Sequence, residues 1–378
     1  MIIEQQYWTF GEGWQIESAA KLDGKASLLL VFGAGHVLSD EARMNEVRAR
    51  YPGAPIVGCS TSGEICGIRV RDDSLVVTAL RFEHTELKLV QEVIGDGSDS
   101  LVAGERLAKS LPTQQLVHVL VFSDGLKVNG SELVRGLSDN LPAGVAVTGG
   151  LAGDGTAFRQ TLVCAGGTPS EGVIAALGFY GEYLKVGYGS LGGWDSFGAE
   201  RRITRSKGNV LYELDGGSAL ELYKKYLGER YTGPADALLF PLMLRTGEDD
   251  FGLVRTVLAV NEDEQSMTFA GDIPEGGYAR LMKANFDRLV DGAEGAARSS
   301  YEMLGSVEPE LALLVSCVGR KLVLKQRIEE EVESVRGVLG KNTVLAGFYS
   351  YGEICPHGAI TQCELHNQTM TITTFSER

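Results

Sequence analysis

The chain lacks most of the marks that would place it outside the ordinary globular class. Its longest apolar run, LALLV at 311–315, has the length of a buried strand and falls far short of a membrane span. The opening MIIEQQYWTFGEGWQIE has neither a basic segment nor a sustained apolar stretch, so no secretory signal is read there and a cytoplasmic location is expected. Cysteines are few and scattered (Cys59, Cys66, Cys164, Cys317, Cys355, Cys363), which predicts reduced thiols and no disulfide framework. Basic residues are outnumbered: 35 Lys and Arg against 50 Asp and Glu give a net charge of -15. With no dense basic cluster to override that charge, nucleic acid and anionic membrane surfaces are excluded as partners.

Catalytic signatures are scarce as well. There is no GxxxxGK[ST] phosphate loop, and GAGH at 33–36 lacks the third glycine of a dinucleotide fingerprint. No GxSxG elbow occurs. Cys59 or Cys355 with His36 or His357 as base would make a thiol-dependent enzyme. Five histidines in 378 residues make such a pairing a chance one, and no catalytic residue is assigned.

What is present is a repeated unit. GCSTSGEIC at 58–66 and GFYSYGEIC at 347–355 share Gly-x-x-Ser-x-Gly-Glu-Ile-Cys. Each follows a short apolar run, an amphipathic stretch and a second short run. LLLVF (28–32) leads through a helix from Ser39 to APIVG, and LALLVS (311–316) leads through Ile328, Val332, Val335 and Leu339 to TVLAG. A third copy runs from LVHVLVF (116–122) through Leu133, Leu137 and Leu141 to VAVTGG and the loop GGLAGDG at 149–155. Strand, crossover helix, strand is a βαβ unit, and loops at the carboxyl ends of its strands are where open α/β sheets bind ligands. Between the copies, 74–82 with 86–93 and 172–181 with 182–189 read as hairpins, which makes the sheets mixed. The fold class is therefore α/β, two related lobes built from repeated βαβ-like units and hairpins. Ser218 and Glu221 form a capping pair for a helix ending at Gly228, and the lobes are expected to meet near 220–235.

The repeated loops nominate a ligand site: Gly58, Ser60, Thr61 and Glu64 from one, Ser350, Tyr351 and Glu353 from the other. Turn chemistry alone accounts for the glycines, and capping of loop N–H groups is an equal reading of the two carboxylates. In the tail, Cys355, His357, Cys363 and His366 read as C-x-H-x5-C-x2-H, too tight at its first pair for a zinc knuckle. No metal site is assigned. His366 and Met370 share one face of a final strand; the ordinary reading is a satisfied strand histidine, the functional one an axial haem ligand.

The ordered series IVGCSTSGEICG, GGLAGDG, GWDSFGAERRITRSKGNVLYELDGGSALELYKKYLG, FPLMLR, AGDIPEG, SCVGR and GFYSYGEI resembles the FIST sensory module with its FIST_C part. The resemblance implies a FIST N-terminal sensory domain over 28–220, FIST_C over 221–358, and a C-terminal strand and tail over 359–378. It implies a cytoplasmic bacterial signal-transduction sensor, not an enzyme, that acts in trans on a histidine kinase or other signalling protein. The stand-alone NosP branch of the family implies haem b and nitric oxide sensing; the alternative is a small metabolite such as an amino acid, without haem. With no CxxCH for covalent attachment, haem would be held by a side chain, and strand-held His366 is favoured over loop His357. Homo-oligomerisation is left open.

Overall fold

A computed structural model describes residues 1–20, 22–95, 99–228, 237, 239–247, 252–305, 307–356 and 363–378. It is α/β with several mixed sheets, and three copies of one unit organise it. The first comprises strands Leu28–Gly33, Ile56–Ser60 and Ser74–Arg81; the second Leu116–Ser123, Ala146–Leu151 and Val173–Tyr180; the third Leu311–Cys317, Val344–Ser350 and Met370–Glu377. In each, the first two strands run parallel and the third pairs antiparallel with the first. Unalternated apolar runs predict strands covered on both faces, and nearly every residue of these strands is buried. One face of each sheet turns to a shared centre, where Phe32 and Phe122 lie 5.4 Å apart and Phe32 stacks on Phe348 at 4.7 Å. The other face carries the crossover helices. Leu133 and Leu137 of helix Gly130–Ser138 pack on Val119 and Val147, and Val332 and Val335 of helix Ile328–Leu339 pack on Ala312 and Leu314.

A single position recurs in all three units for a steric reason. Gly58, Gly149 and Gly347 stand opposite Val31, Val121 and Leu314 in the parallel pairs. A Cβ at any of them would run into the facing residue's carbonyl oxygen. Strand contact alone is enough to require Gly58.

Two readings of local structure are corrected. The runs 74–82 and 86–93 are strands but not a hairpin. Ser74–Arg81 lies in the first sheet, and Glu86–Val93 pairs with Val173–Tyr180 in the second. Likewise Leu184–Leu191 leaves its neighbour to pair with Met370–Glu377 in the third. A short turn serves equally to step between adjacent sheets as between adjacent strands, and here it steps. The first crossover helix is capped by Asp40, whose carboxylate accepts from the Ala42 amide at 2.9 Å, and not by Ser39.

The units also exchange strands in a cycle. Glu64–Cys66 leaves the first unit to pair with Val344–Ser350; Gly352–Pro356 leaves the third for Ala146–Leu151; Val163–Ala165 leaves the second for Ile56–Ser60. The amino-terminal and carboxyl-terminal halves are thus interlaced. A second lobe over residues 195–283 is an antiparallel sheet curled around helix Ala219–Leu227, with Leu220, Tyr223 and Leu227 packed on Ile203, Leu211 and Phe269. The predicted cap is present: the Ser218 hydroxyl accepts from the Glu221 amide at 3.2 Å, and Gly228 follows the last turn.

Candidate functional site

The repeated Gly-Glu-Ile motif places one carboxylate in the same surroundings twice. Glu64 accepts from the Thr61 hydroxyl on one oxygen, and from the Ser74 hydroxyl (2.6 Å) and amide (3.3 Å) on the other. Glu353 accepts from the Ser350 hydroxyl (2.7 Å) on one oxygen, and from the Thr369 hydroxyl (2.9 Å) and amide (3.2 Å) on the other. Both are fully buried. Desolvation pushes Glu64 up to about 7 against the hydrogen bonds of Ser74 and Thr61, and pushes Glu353 up to about 8 against those of Ser350 and Thr369. Ser74 and Thr369 are the residues that enter the third strand of their units. In the second unit that place belongs to Gly172, whose amide donates to Asp124 at 2.7 Å. A carboxylate therefore clamps the start of every third strand. Ser60 is used similarly, its hydroxyl accepting from the Leu162 amide at 2.9 Å.

Among the described residues, the two loops border different cavities. Thr61, Ser62, Gly63 and Glu64 line a polar cavity of about 430 Å³ against Asp154, Gly155, Ala157, Arg159 and Gln160 of the second unit's loop. Tyr351 lies on the other side of that loop. Its hydroxyl donates to Asp154, and its ring stacks on Phe158 at 4.5 Å and 12°. Asp154 in turn gathers the amides of Phe158, Arg159 and Gln160 at 2.8–2.9 Å. Phe158 is held at φ 49°, a region that bulky side chains rarely occupy.

Tyr351 and Phe158 open onto a second cavity, of about 340 Å³, between the three-unit core and the 195–283 lobe. Its core wall is the Gly125–Gly130 turn at the carboxyl end of strand Leu116–Ser123, with Val318 and Gly319 after strand Leu311–Cys317. The opposite wall comes from Asn209, Thr256, Leu258 and Phe269–Gly271 of the second lobe. Leu126, Phe158 and Leu258 are large apolar side chains left 39–46% exposed, and all three converge here. Of the residues nominated by the repeated motif, only Tyr351 reaches this cavity. The wall residues of the second lobe carry no sequence motif. DGLKVNG at 124–130 was the available signal, a glycine-bracketed turn between a strand and a helix.

The described residues do not fit a haem held by His366. The ring is buried in the sheet, with Nε2 3.0 Å from the Cys355 carbonyl oxygen, and it does not line the 340 Å³ cavity. His357 lies outside the described residues. Cys59 and Cys355, the candidate nucleophiles, are fully buried, and desolvation drives both thiols well above their ordinary range, away from the thiolate.

Sequence comparison matches the FIST N domain over residues 27–217 and the FIST C domain over residues 219–356. The chain belongs to the FIST family. FIST domains form a signal-transduction sensor family, sensory rather than catalytic. A relative, an uncharacterized protein of Methanocaldococcus jannaschii, is 23% identical over 338 residues, covering 82% of this chain. This FIST chain spans 63% of that relative's length. Among solved structures, a cyanuric acid hydrolase from A. caulinodans aligns over 100% of this chain and 99% of its own at 8% identity. Its TM-score of 0.35 carries no argument. No helix of the described residues is long and apolar enough to cross a membrane.

Proposed function

We propose that this FIST protein senses a small molecule in the 340 Å³ cavity and passes its occupancy to a partner signalling protein, a histidine kinase or another enzyme of a signalling pathway. One observation carries the reading: the cavity wall is divided between the interlaced core and the 195–283 lobe. A ligand that touches both walls stabilises one placement of the lobe over others, which is what a sensor needs to convert binding into a change of shape. The size and apolar lining suit a small organic molecule with few polar anchors. The Tyr351–Asp154 hydrogen bond connects the cavity to the loop that also borders the polar cavity behind it, so occupancy would be felt on two faces of the core.

The test is a thermal-shift screen of a metabolite panel against the wild type and Leu258→Trp, which fills the cavity mouth from a half-exposed position. Ligands of the cavity raise the wild-type Tm and leave the variant unmoved. Equal shifts in both proteins would rule the cavity out.

A further inference from the structure

The sensor reading above needs the 195–283 lobe to take more than one placement, and two buried arginines hold that lobe in unequal ways. The chain crosses between core and lobe twice, just before strand Asp195–Lys207 and again between strand Tyr278–Lys283 and helix Phe286–Met303. The two crossings touch. A Cβ at Gly193, which is held at φ 75°, would lie 1.8 Å from the Arg288 carbonyl oxygen. Asp195 accepts from Asn285 Nδ2 and pairs with Arg288 Nε, each at 3.2 Å.

Arg320, the last residue of the SCVGR run, ties both crossings to the core. It is fully buried, and its two Nη atoms donate to the Gly192 carbonyl at 2.5 Å and the Leu289 carbonyl at 2.7 Å. Its charge is matched by the buried Glu331, whose Oε2 accepts from Nη2 at 2.8 Å and from Nε at 3.1 Å. The hydroxyls of Ser316 and Tyr349 donate to the other Glu331 oxygen. Breaking such a pair leaves a bare buried charge, so this attachment stays made.

Arg255 makes a second attachment, from the lobe to the core. It is 3% exposed, and one Nη atom donates at 2.7 Å to the Leu365 carbonyl of strand Cys363–His366. The rest of the guanidinium is poorly served. That Nη reaches the adjacent Val254 carbonyl only at 3.5 Å, and Nε has no partner among the described residues. Glu364 and Asp272 act on it through space. A buried guanidinium without a bonded carboxylate destabilises the docked arrangement, and it regains water when the walls part. The 340 Å³ cavity touches both attachments: Val318 and Gly319 adjoin Arg320, and Thr256, Gly271 and Leu365 surround Arg255.

We propose that Arg320 is the pivot of the lobe and Arg255 its release. The lobe swings about the two crossings, and the charge of Arg255 keeps the closed placement close in free energy to the open one. A ligand that touches both walls opposes the release and holds the lobe closed.

Distances between two spin labels on the full chain, with no ligand added, test this. The labels sit on cysteines introduced by Arg135→Cys and Asp263→Cys, exposed positions on helix Gly130–Ser138 and on a turn of the lobe; the native cysteines are buried. The labelled protein should show a short and a long distance. Arg255→Met removes the charge and keeps an apolar stem, so the long-to-short ratio should fall at least fivefold. Arg320→Met combined with Glu331→Gln removes the pivot and both of its charges, and should broaden both distances. Should it fail to fold, Gly193→Ala parts the same two crossings with the buried charges intact. One distance only in the labelled protein overturns the proposal, as does an Arg255→Met distribution that is unchanged or shifted to longer distance. Sharp distances in a folded pivot variant overturn the role of Arg320. None of these results touches ligand binding, so the sensor cavity stands or falls separately, by the response of the metabolite panel to Leu258→Trp.

Discussion

Glu64 and Glu353, 289 positions apart, make the same three kinds of contact: a hydroxyl three residues before, and the hydroxyl and amide of the residue that enters the third strand of the unit. The repeated motif that first draws attention in the sequence is thus a device for turning a chain from one sheet to the next. It repeats because the unit repeats.

Those carboxylates predict a pH dependence of stability with a definite sign. Their folded values of about 7 and about 8 lie above the ordinary 4.5. Their contribution is therefore fully present below pH 4.5 and lost as pH rises through 7 and then 8. At ~1.4 kcal/mol per pH unit the loss is on the order of a few kcal/mol for each. Urea denaturation across pH 5 to 9 should show it. Glu64→Gln and Glu353→Gln remove the ionisation and keep an oxygen for the Ser74 and Thr369 amides, so each variant should flatten the curve. Unchanged slopes in the double variant would assign the dependence elsewhere.

Gly58→Ala, Gly149→Ala and Gly347→Ala should each cost about 3 kcal/mol, the upper end of the overpacking range, since each Cβ meets a backbone carbonyl in a parallel strand pair that cannot part without losing its ladder. Thermal denaturation checks this. A variant within 1 kcal/mol of wild type, on the scale of an ordinary surface change, would contradict the strand register.

How much of this was legible without coordinates divides along physical lines. Strands buried on both faces write themselves as short apolar runs, and helices with one buried stripe write themselves at 3.6-residue spacing, so 28–33, 116–123, 311–317 and helix 328–339 were readable. Pairing partners were not. Nothing in SLVVTALRF or ELKLVQEV says that the turn between them changes sheet, because that depends on residues near 1–9 and 173–180. The site was half readable. Tyr351 came from a motif, but Thr256 and Leu258 owe their place to how the second lobe docks, which no local pattern encodes.

Tyr351→Phe removes the hydroxyl that holds Asp154 and leaves the ring on Phe158. The variant should lose about 1.5–3 kcal/mol of stability, the value of a hydrogen bond to a charged group, and loosen residues 154–160. Ligand affinity should fall with it at unchanged secondary structure by circular dichroism. Affinity identical to wild type would separate that loop from the binding site.

All six cysteines are buried and none forms a disulfide among the described residues, so none should react with iodoacetamide at neutral pH faster than global opening allows. A single rapidly alkylated Cys59 or Cys355 would revive the enzyme reading. In the same preparation, haem reconstitution should give no Soret band that depends on His366, whose ring nitrogen is engaged by the Cys355 carbonyl. A Soret band abolished by His366→Ala in a folded protein would reverse that reading.

The most direct measurement is hydrogen–deuterium exchange with and without a bound cavity ligand. Because the cavity is shared, protection should rise together at Gly125–Gly130 and at residues 154–160 of the core and at residues 256–271 of the second lobe. Protection confined to one wall, or centred on Thr61–Glu64 instead, would contradict the claim that this FIST protein senses its ligand between its two lobes.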